Sequence, residues 1–343
     1  MSGRNQPVTL ADVAARAEVS AQTVSNVLHR PDRVLPKTRK KVEAAIKELG
    51  YQPNRAARAL RANTSHIIGF RIEPTSTGAV GSIHDRFLHA LAEAARPSGH
   101  HIQLFTADDA AAEAASASQL WRAGAVDAVV LYDIVADDPR PGLLLDKDVP
   151  FVSFGRTLLR PTTYSWVDVD DENGIHQAVD HLVSQGHRRI GYIGWPEHLA
   201  VGVRRARGWH DAMRLNALPT DLDARADDTI AAGRQAAASL LSTPEPPTAI
   251  IAATDTIAVG IHHEALHRDL RPGKDLAIIG FDDTPTAYAM AISSIGQPVA
   301  DVARAIMNLL LELLNAPQAP PTQGRLLAPR LIIRDSSSRP CRL

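Results

Sequence analysis

Gln22, Thr23, Ser25 and Asn26 fall on one short stretch, amides and hydroxyls with no charge among them. Such side chains donate and accept in pairs, the chemistry that reads base edges in a DNA major groove, whereas a surface built only for phosphate would be mostly Lys and Arg. A second chemistry is spelled by His263-Glu264-Ala265-Leu266-His267. On a helix this spacing turns two imidazoles to one face, the arrangement of zinc hydrolases that use the Glu as base. Five-residue matches arise by chance in a chain with 14 His, and zinc chemistry would need a third ligand and an open position, so the zinc hydrolase is the minor reading. A third set of groups follows apolar strands: Glu73, Thr254 and Asp282 stand on loops at strand carboxyl ends, where open α/β sheets bind ligands.

The first group needs a helix to present it. Thr9 is an N-cap ahead of Leu10, Val13, Ala14 and Ala17, whose spacing makes one apolar face. Ser20 caps a second helix with Val24, Val27 and Leu28 inward and Gln22, Thr23, Ser25 and Asn26 outward. Two short helices and a tight turn over 8–30 predict a helix-turn-helix that enters the groove by the N-terminal end of its second helix, although an ordinary helical hairpin has the same pattern. Pro36 to Leu49 predicts a third helix, stopped by Gly50. Lys37, Arg39, Lys40 and Lys41 crowd its first turns against the helix dipole, which suits a phosphate-facing surface better than it suits stability. Pro53 then opens Asn54 to Arg61, rich in Ala and Arg and too short to hold as a helix alone in water.

Charge divides the chain in the same place. Residues 1–62 carry twelve Lys and Arg against five Asp and Glu, a net +7, and the rest carries 25 against 33, a net −8. The positive part is the helix-turn-helix, and attraction to phosphate supplies much of any DNA affinity. With 343 residues, 45% of them hydrophobic, the chain can bury more than one core. No apolar run approaches the roughly twenty residues of a membrane helix, and the N-terminus has no apolar leader, so the expected location is cytoplasmic, with no membrane partner. The single Cys341 rules out an internal disulfide. No Gly-rich phosphate loop or nucleophile elbow occurs; no catalytic residue, metal or cofactor is expected, and the chain reads as a non-enzyme.

From Ile67 the pattern becomes strands alternating with helices, up to a strongly apolar helix at Val299 to Leu314 and a last strand at Leu331 to Ile333. Alternation predicts parallel sheets wrapped by helices, and some 280 residues are too many for one such sheet, so two lobes are expected.

Leu10-Ala11-Asp12-Val13-Ala14, Val19-Ser20, Thr23-Val24-Ser25-Asn26-Val27-Leu28, Thr38-Arg39, Leu49-Gly50-Tyr51, Pro53-Asn54 and Ala57-Arg58-Ala59-Leu60-Arg61 together resemble the N-terminus of the LacI/GalR family of bacterial transcription regulators. Later motifs extend the resemblance over nearly the whole chain. It implies an N-terminal all-α helix-turn-helix domain at 1–52, a hinge helix at 53–63, and a two-lobed α/β domain like the periplasmic binding proteins at 64–335. Lobe 1 would take about 64–163 and 295–322, and lobe 2 about 164–294 and 323–335. DNA contacts are expected from Thr9, Ser20, Ala21, Gln22, Thr23, Ser25, Asn26, His29, Thr38, Asn54, Ala57, Arg58 and Leu60. Leu60 matches a leucine that wedges between the central base pairs, and an apolar wedge beside Arg58 and Arg61 suits that task. Asn26 departs from members with Arg there, which favours adenine over guanine contacts.

For a small effector the resemblance points to Glu73, Asn173, Arg205, Thr254 and Asp282. Arg205 lies three before Gly208 in a motif that reaches into the cleft, Asp282 leads Asp282-Asp283-Thr284, and Thr254 replaces the Asn of many members. An Arg and an Asp in a cleft suit a neutral polyol, with Trp166, Trp195 and Trp209 as candidate stacking platforms. Asp282 would equally suit a cap for the next segment, and Arg205 a bridge between surface carboxylates. Ten residues after Ile333 show no heptads, so a homodimer is expected rather than a tetramer. The expectation is a ligand-responsive repressor of a palindromic double-stranded DNA operator, controlled by a sugar; the competing class is a cytoplasmic sugar-binding protein with no DNA role.

Overall fold

The computed structural model describes residues 8–51, 64–72, 82–158, 163–196, 199–315 and 322–338. Contacts divide the chain into two compact units, 1–65 and 66–343.

In the first unit, α1 (Leu10–Ala17), α2 (Ala21–His29) and α3 (Pro36–Leu49) close a core of Val13, Ala14, Ala17, Val24, Val27, Val42, Ala45 and Tyr51. Thr9 starts α1 through a capping box: its backbone N–H and hydroxyl both donate to Asp12, whose own N–H donates back to the hydroxyl. Glu18 ends α1 in the left-handed region at φ 53°, and Ser20 caps α2 by accepting from the Thr23 N–H, so the turn has only three residues. Gly50 ends α3 at φ 63°, where a side chain would be strained.

In the second unit the described strands form two six-stranded sheets. The first contains β1 (Ile67–Ile72), β2 (His101–Thr106), β3 (Ala128–Leu131), β4 (Phe151–Phe154), β5 (Trp166–Val169) and β11 (Gly324–Leu327), in the order β11-β5-β4-β3-β1-β2 and parallel throughout. The second contains β6 (Ile190–Gly194), β7 (Asp223–Arg225), β8 (Ala249–Ala252), β9 (Ala277–Phe281), β10 (Ser293–Gly296) and β12 (Arg330–Ile332), in the order β12-β10-β9-β8-β6-β7, with β12 alone antiparallel. Around the first sheet lie α4 (Ser82–Ala95), α5 (Ala110–Arg122), α6 (Arg140–Leu145) and α12 (Val299–Asn315); around the second lie α7 (Asp171–Ser184), α8 (Ala200–Leu215), α9 (Ile230–Leu241), α10 (Asp255–His267) and α11 (Pro285–Ala289). The central strands β3, β8 and β9 are buried on both faces and read as apolar runs.

The chain passes between lobes three times: after Val169, after Gly296 and after Leu327. The lobe boundaries expected near 163/164 and 322/323 are therefore corrected. Trp166–Val169 pairs with β4, and Gly324–Leu327 pairs with Trp166–Val169, so both complete lobe 1 before the chain leaves it. The return expected at 295 also shifts, because Ile295 and Gly296 still pair with lobe 2. The crossings are fastened to each other. The Asp170 N–H donates to Leu327 O at 2.9 Å, and Gln177 bonds both the Pro329 carbonyl (3.1 Å) and the Leu331 N–H (3.1 Å). A side chain at Gly174 would lie 2.9 Å from both Ile295 and Pro329, so only glycine lets α7 start this close to the other two crossings.

Candidate functional site

On α2 the structure gives Ala21 and Gln22 as exposed, Thr23 and Asn26 as half-buried, and the Gln22 amide donates to Asn26 Oδ1 at 3.2 Å. Ser25 differs from expectation: it is 6% exposed, because one 100° step from Val24 keeps it on the flank that meets the core, and this takes it off the outward face. Ser20 is exposed, and its hydroxyl both caps the helix and lies 2.9 Å from the Thr23 hydroxyl. His29 is the last residue of α2, and Thr38 is half-buried in the first turn of α3. Of the cations on α3, Arg39 pairs with Glu43 at 2.7 Å and Lys41 with Glu18 at 2.5 Å, both well exposed, while Lys37 and Lys40 are exposed at the helix start. Exposed pairs hold their partners weakly, so these cations remain exchangeable with phosphate. Asn54, Ala57, Arg58 and Leu60 lie outside the described residues, as does Glu73.

Within the second unit a cavity with about 550 Å³ of free space, mouth included, opens between the carboxyl ends of the two sheets. About half of its wall is the one to three residues after a strand: Tyr132 to Ile134 after β3, Gly155 after β4, Asp171 after β5, Trp195 after β6, Asp282 after β9 and Gln297 after β10. Lobe 1 supplies two aromatic rings together with Asp133 and Asp168: Tyr132, which stacks on His84 (4.8 Å) and Phe87 (5.5 Å), and Phe154, which packs on Phe87. Lobe 2 supplies the two arginines of the lining, Arg204 and Arg205, with Asp171 and Asp282.

Arg205 is the centre of the lobe-2 side. It is 2% exposed, its Nε donates to Asp171 Oδ1 at 2.9 Å, its Nη1 donates to the Ala253 carbonyl, and its Nη2 lies 3.8 Å from Asp282 Oδ1. Its plane is held between Phe281 (3.5 Å) and Trp195 (5.3 Å). The alternative of a bridge between surface carboxylates is thereby removed. Asp282 does not cap the next helix either; Thr284 does, by accepting from the Ala287 N–H. Instead Asp282 sits at φ 104° and accepts from Gln297 Nε2 at 2.6 Å. Burial pushes its carboxyl up to about 7, against the pull of Arg205.

Of the other expected effector residues, Asn173 and Thr254 stand off the cavity lining. Asn173 is exposed on α7 and bonds Gln177; it is Asp171, at the start of that helix, that lines the cavity. Thr254 caps α10: its hydroxyl accepts from the Ile257 N–H and donates to Asp228, and it is outside the lining because its short side chain is used up there. Trp209 is wholly buried against Tyr192, and Trp166 lies under Arg156 at 4.5 Å; neither lines the cavity, whereas Trp195 does. Among the lining residues that no motif marks are Asp168, Arg204 and Gln297. Asp168, 3% exposed and pushed up to about 7 mainly by burial, lies 3.1 Å from Arg204, which also reaches Asp171 at 3.3 Å. In the sequence, Asp168 would be noticed only as an acid inside an apolar strand.

In the His263–His267 segment the helix is present, but Glu264 is held by Arg234 (3.0 Å) and Arg268 (2.8 Å). Among the described residues no group of three His, Cys, Asp or Glu is placed to hold a metal, and no helix is long and apolar enough to cross a membrane.

A helix-turn-helix unit carried by the same chain as a two-lobed body with a polar-and-aromatic cavity defines a DNA-binding regulator with a small-molecule receptor. Residues 9–54 match the bacterial regulatory proteins of the lacI family, and residues 179–337 match the periplasmic binding protein-like domain. The chain is 32% identical to the HTH-type transcriptional regulator AglR of Rhizobium meliloti, over 96% of this chain and 94% of that protein, and 31% identical to the regulator CelR of Thermobifida fusca, over 98% and 100%. Among solved structures it superposes on the lac repressor dimer bound to operator and an anti-inducer, with TM-score 0.84 and 26% identity over 96% of this chain and 99% of that one, and on a CelR–cellobiose complex, with TM-score 0.72 and 29% identity over 96% and 99%. The chain belongs to the LacI family of transcriptional regulators.

Proposed function

We propose that this regulator is a repressor that binds a palindromic operator as a homodimer and is controlled by an uncharged sugar held in the cleft. Supporting the ligand class is the lobe-2 side of the cleft: a guanidinium locked on aromatic faces beside carboxyls from Asp171 and Asp282 offers donors and acceptors for adjacent hydroxyls, while Tyr132 and Phe154 of lobe 1 suit the apolar face of a ring. Arg205, Asp282, Asp171, Asp168, Gln297 and Trp195 form the effector site, with Glu73 as a further member. Ala21, Gln22 and Asn26 contact bases, Thr9, Ser20, Thr23, His29 and Thr38 contact the backbone, Asn54, Ala57 and Arg58 add DNA contacts, and Leu60 is the minor-groove wedge. The protein works in the cytoplasm and catalyses no reaction.

Control follows from linkage. A sugar that binds the closed lobes more tightly than the open ones shifts that equilibrium by its difference in affinity, and DNA affinity follows to the extent that operator binding prefers one of the two. The test is fluorescence anisotropy of the full chain on DNA from upstream of its own coding sequence, with cellobiose and other neutral sugars added. Affinity should fall roughly 10³-fold between about 50 and 200 mM salt. One of the sugars should change it for the wild type and not for Arg205→Met. Salt-independent or absent DNA binding would leave a sugar carrier as the better reading.

A further inference from the structure

Two arginines cross between the lobes in opposite directions. Arg204 of α8 in lobe 2 donates to the Arg156 carbonyl of lobe 1 at 3.1 Å and lies 3.1 Å from Asp168. Arg86 of α4 in lobe 1 donates through one nitrogen to the carbonyls of Asp282 (2.7 Å) and Asp283 (2.9 Å) in lobe 2. Arg204 lines the cavity and Arg86 does not.

Those two carbonyls belong to an unusual turn. Asp282 at φ 104° and Asp283 at φ 52° both stand where non-glycine residues are rare. The amides of the turn are satisfied inside lobe 2: Asp282 donates to Ile295 O (2.8 Å), Asp283 to Ser294 Oγ (2.9 Å) and Thr284 to Asp255 Oδ2 (2.7 Å). The Asp283 carboxylate is taken by Arg334 of the C-terminal segment. The outward-turned carbonyls are met from the other lobe. Charge-assisted bonds from a guanidinium to carbonyls are directional, so this one is made only with the turn left-handed and the lobes together.

We propose that Arg86 is a positioning residue of the effector cleft: it grips the main chain of Asp282 and Asp283 across the lobes, and so fixes both the aim of the Asp282 carboxyl and the closure of the cleft on that side. The functional meaning rests on the cleft being the effector site, but the device is tested without any effector. Arg86 acts through Asp282 and touches no ligand. It also ties the cleft to α4, which packs on α12 and places Phe87 and Leu91 in the core the two helices share, so a change in closure is carried into the helical layer of lobe 1.

The experiment uses the full chain and three variants, Arg86→Met, Arg86→Lys and, as a control, Arg304→Met in an exposed ion pair of α12. Hydrogen exchange of the amides at 282–284 and small-angle scattering are read on each. Arg86→Met should exchange about tenfold faster at those amides and scatter as a more open body, with the rest of lobe 2 unchanged. Arg86→Lys, which keeps a donor and the charge, should restore most of both, and Arg304→Met should match the wild type. Wild-type exchange and scattering in Arg86→Met overturn the proposal. So does faster exchange spread along α4 that lysine fails to rescue, since that marks a packing role. If Arg86→Met does not fold, Arg86→Gln, whose amide can meet a single carbonyl, gives the same reading at smaller amplitude. Because no sugar is involved, failure here leaves the sugar reading standing, and failure of the Arg205→Met test leaves Arg86 untouched.

Discussion

The outward face of α2 and the lobe-2 side of the cleft are both recognition surfaces, and they are built in opposite ways. Ala21, Gln22 and Asn26 stand on a helix fixed by its own cap and core, with their side chains in or near solvent and Gln22 bonded to Asn26. Arg205, Asp171 and Asp282 are buried, and each is held by groups far away in the chain. A solvated reader gives its energy to the partner; a buried reader is also part of the fold. Substitution on α2 should therefore change binding and leave stability alone, whereas substitution in the cleft should change both.

The strongest attempt to break this contrast is Arg205→Met. Removing one member of a buried ion pair leaves Asp171 and Asp282 short of a partner and should cost about 3–5 kcal/mol, read as a lower denaturation midpoint, together with loss of the sugar response. Undiminished stability would mean that the cleft is as independent of the fold as α2 is. Next is pH. Asp168 and Asp282 hold their protons up to about 7 in the folded chain against 3.8 as ordinary groups, so the folded state binds protons more tightly. Their contribution is fully present below about pH 4 and is lost as pH rises through about 7. Asp282→Asn, permanently neutral, should melt a few degrees above wild type at pH 8, about 2–4 °C for each kcal/mol regained, and close to it at pH 5. The same melting temperature difference at both pH values would show that the proton is not the cause.

Asn26→Ala tests the other side. It should weaken operator binding by about 1–3 kcal/mol and relax preference at one base pair, with the melting temperature unchanged. A large drop in melting temperature would place α2 with the cleft. Smallest is Glu48→Gln, which breaks the exposed pair with Arg16 at 2.6 Å; melting should move by less than about a degree.

This contrast also separates what was legible in the sequence from what was not. Caps, apolar spacing and the Gly50 stop are local, and they put α1, α2 and α3 where the structure has them. Central strands declare themselves by apolar runs; β10, with Ser293 and Ser294 wholly buried, does not, because its hydroxyls are matched by Arg334, Ser337 and Asp255. Arg205 and Asp282 were reached through motif positions. Asp168, Arg204 and Gln297 were missed because only the meeting of the two lobes gives them a common address, and Asn173 was preferred to Asp171 because two residues on one helix turn differ in facing, which a motif does not state.

The three crossings have a consequence for the order in which the protein comes to exist. Lobe 1 lacks a helix and an edge strand until Asn315 and Leu327 are made, and lobe 2 lacks its last strand until Ile332 is made. Neither lobe can be completed on the ribosome much before the other. The core of the first unit is closed by Tyr51. At about 5–20 residues per second, the chain of the DNA-reading module is complete roughly 15–60 s before that of its sensor. A nascent chain stalled in that interval carries the reader alone.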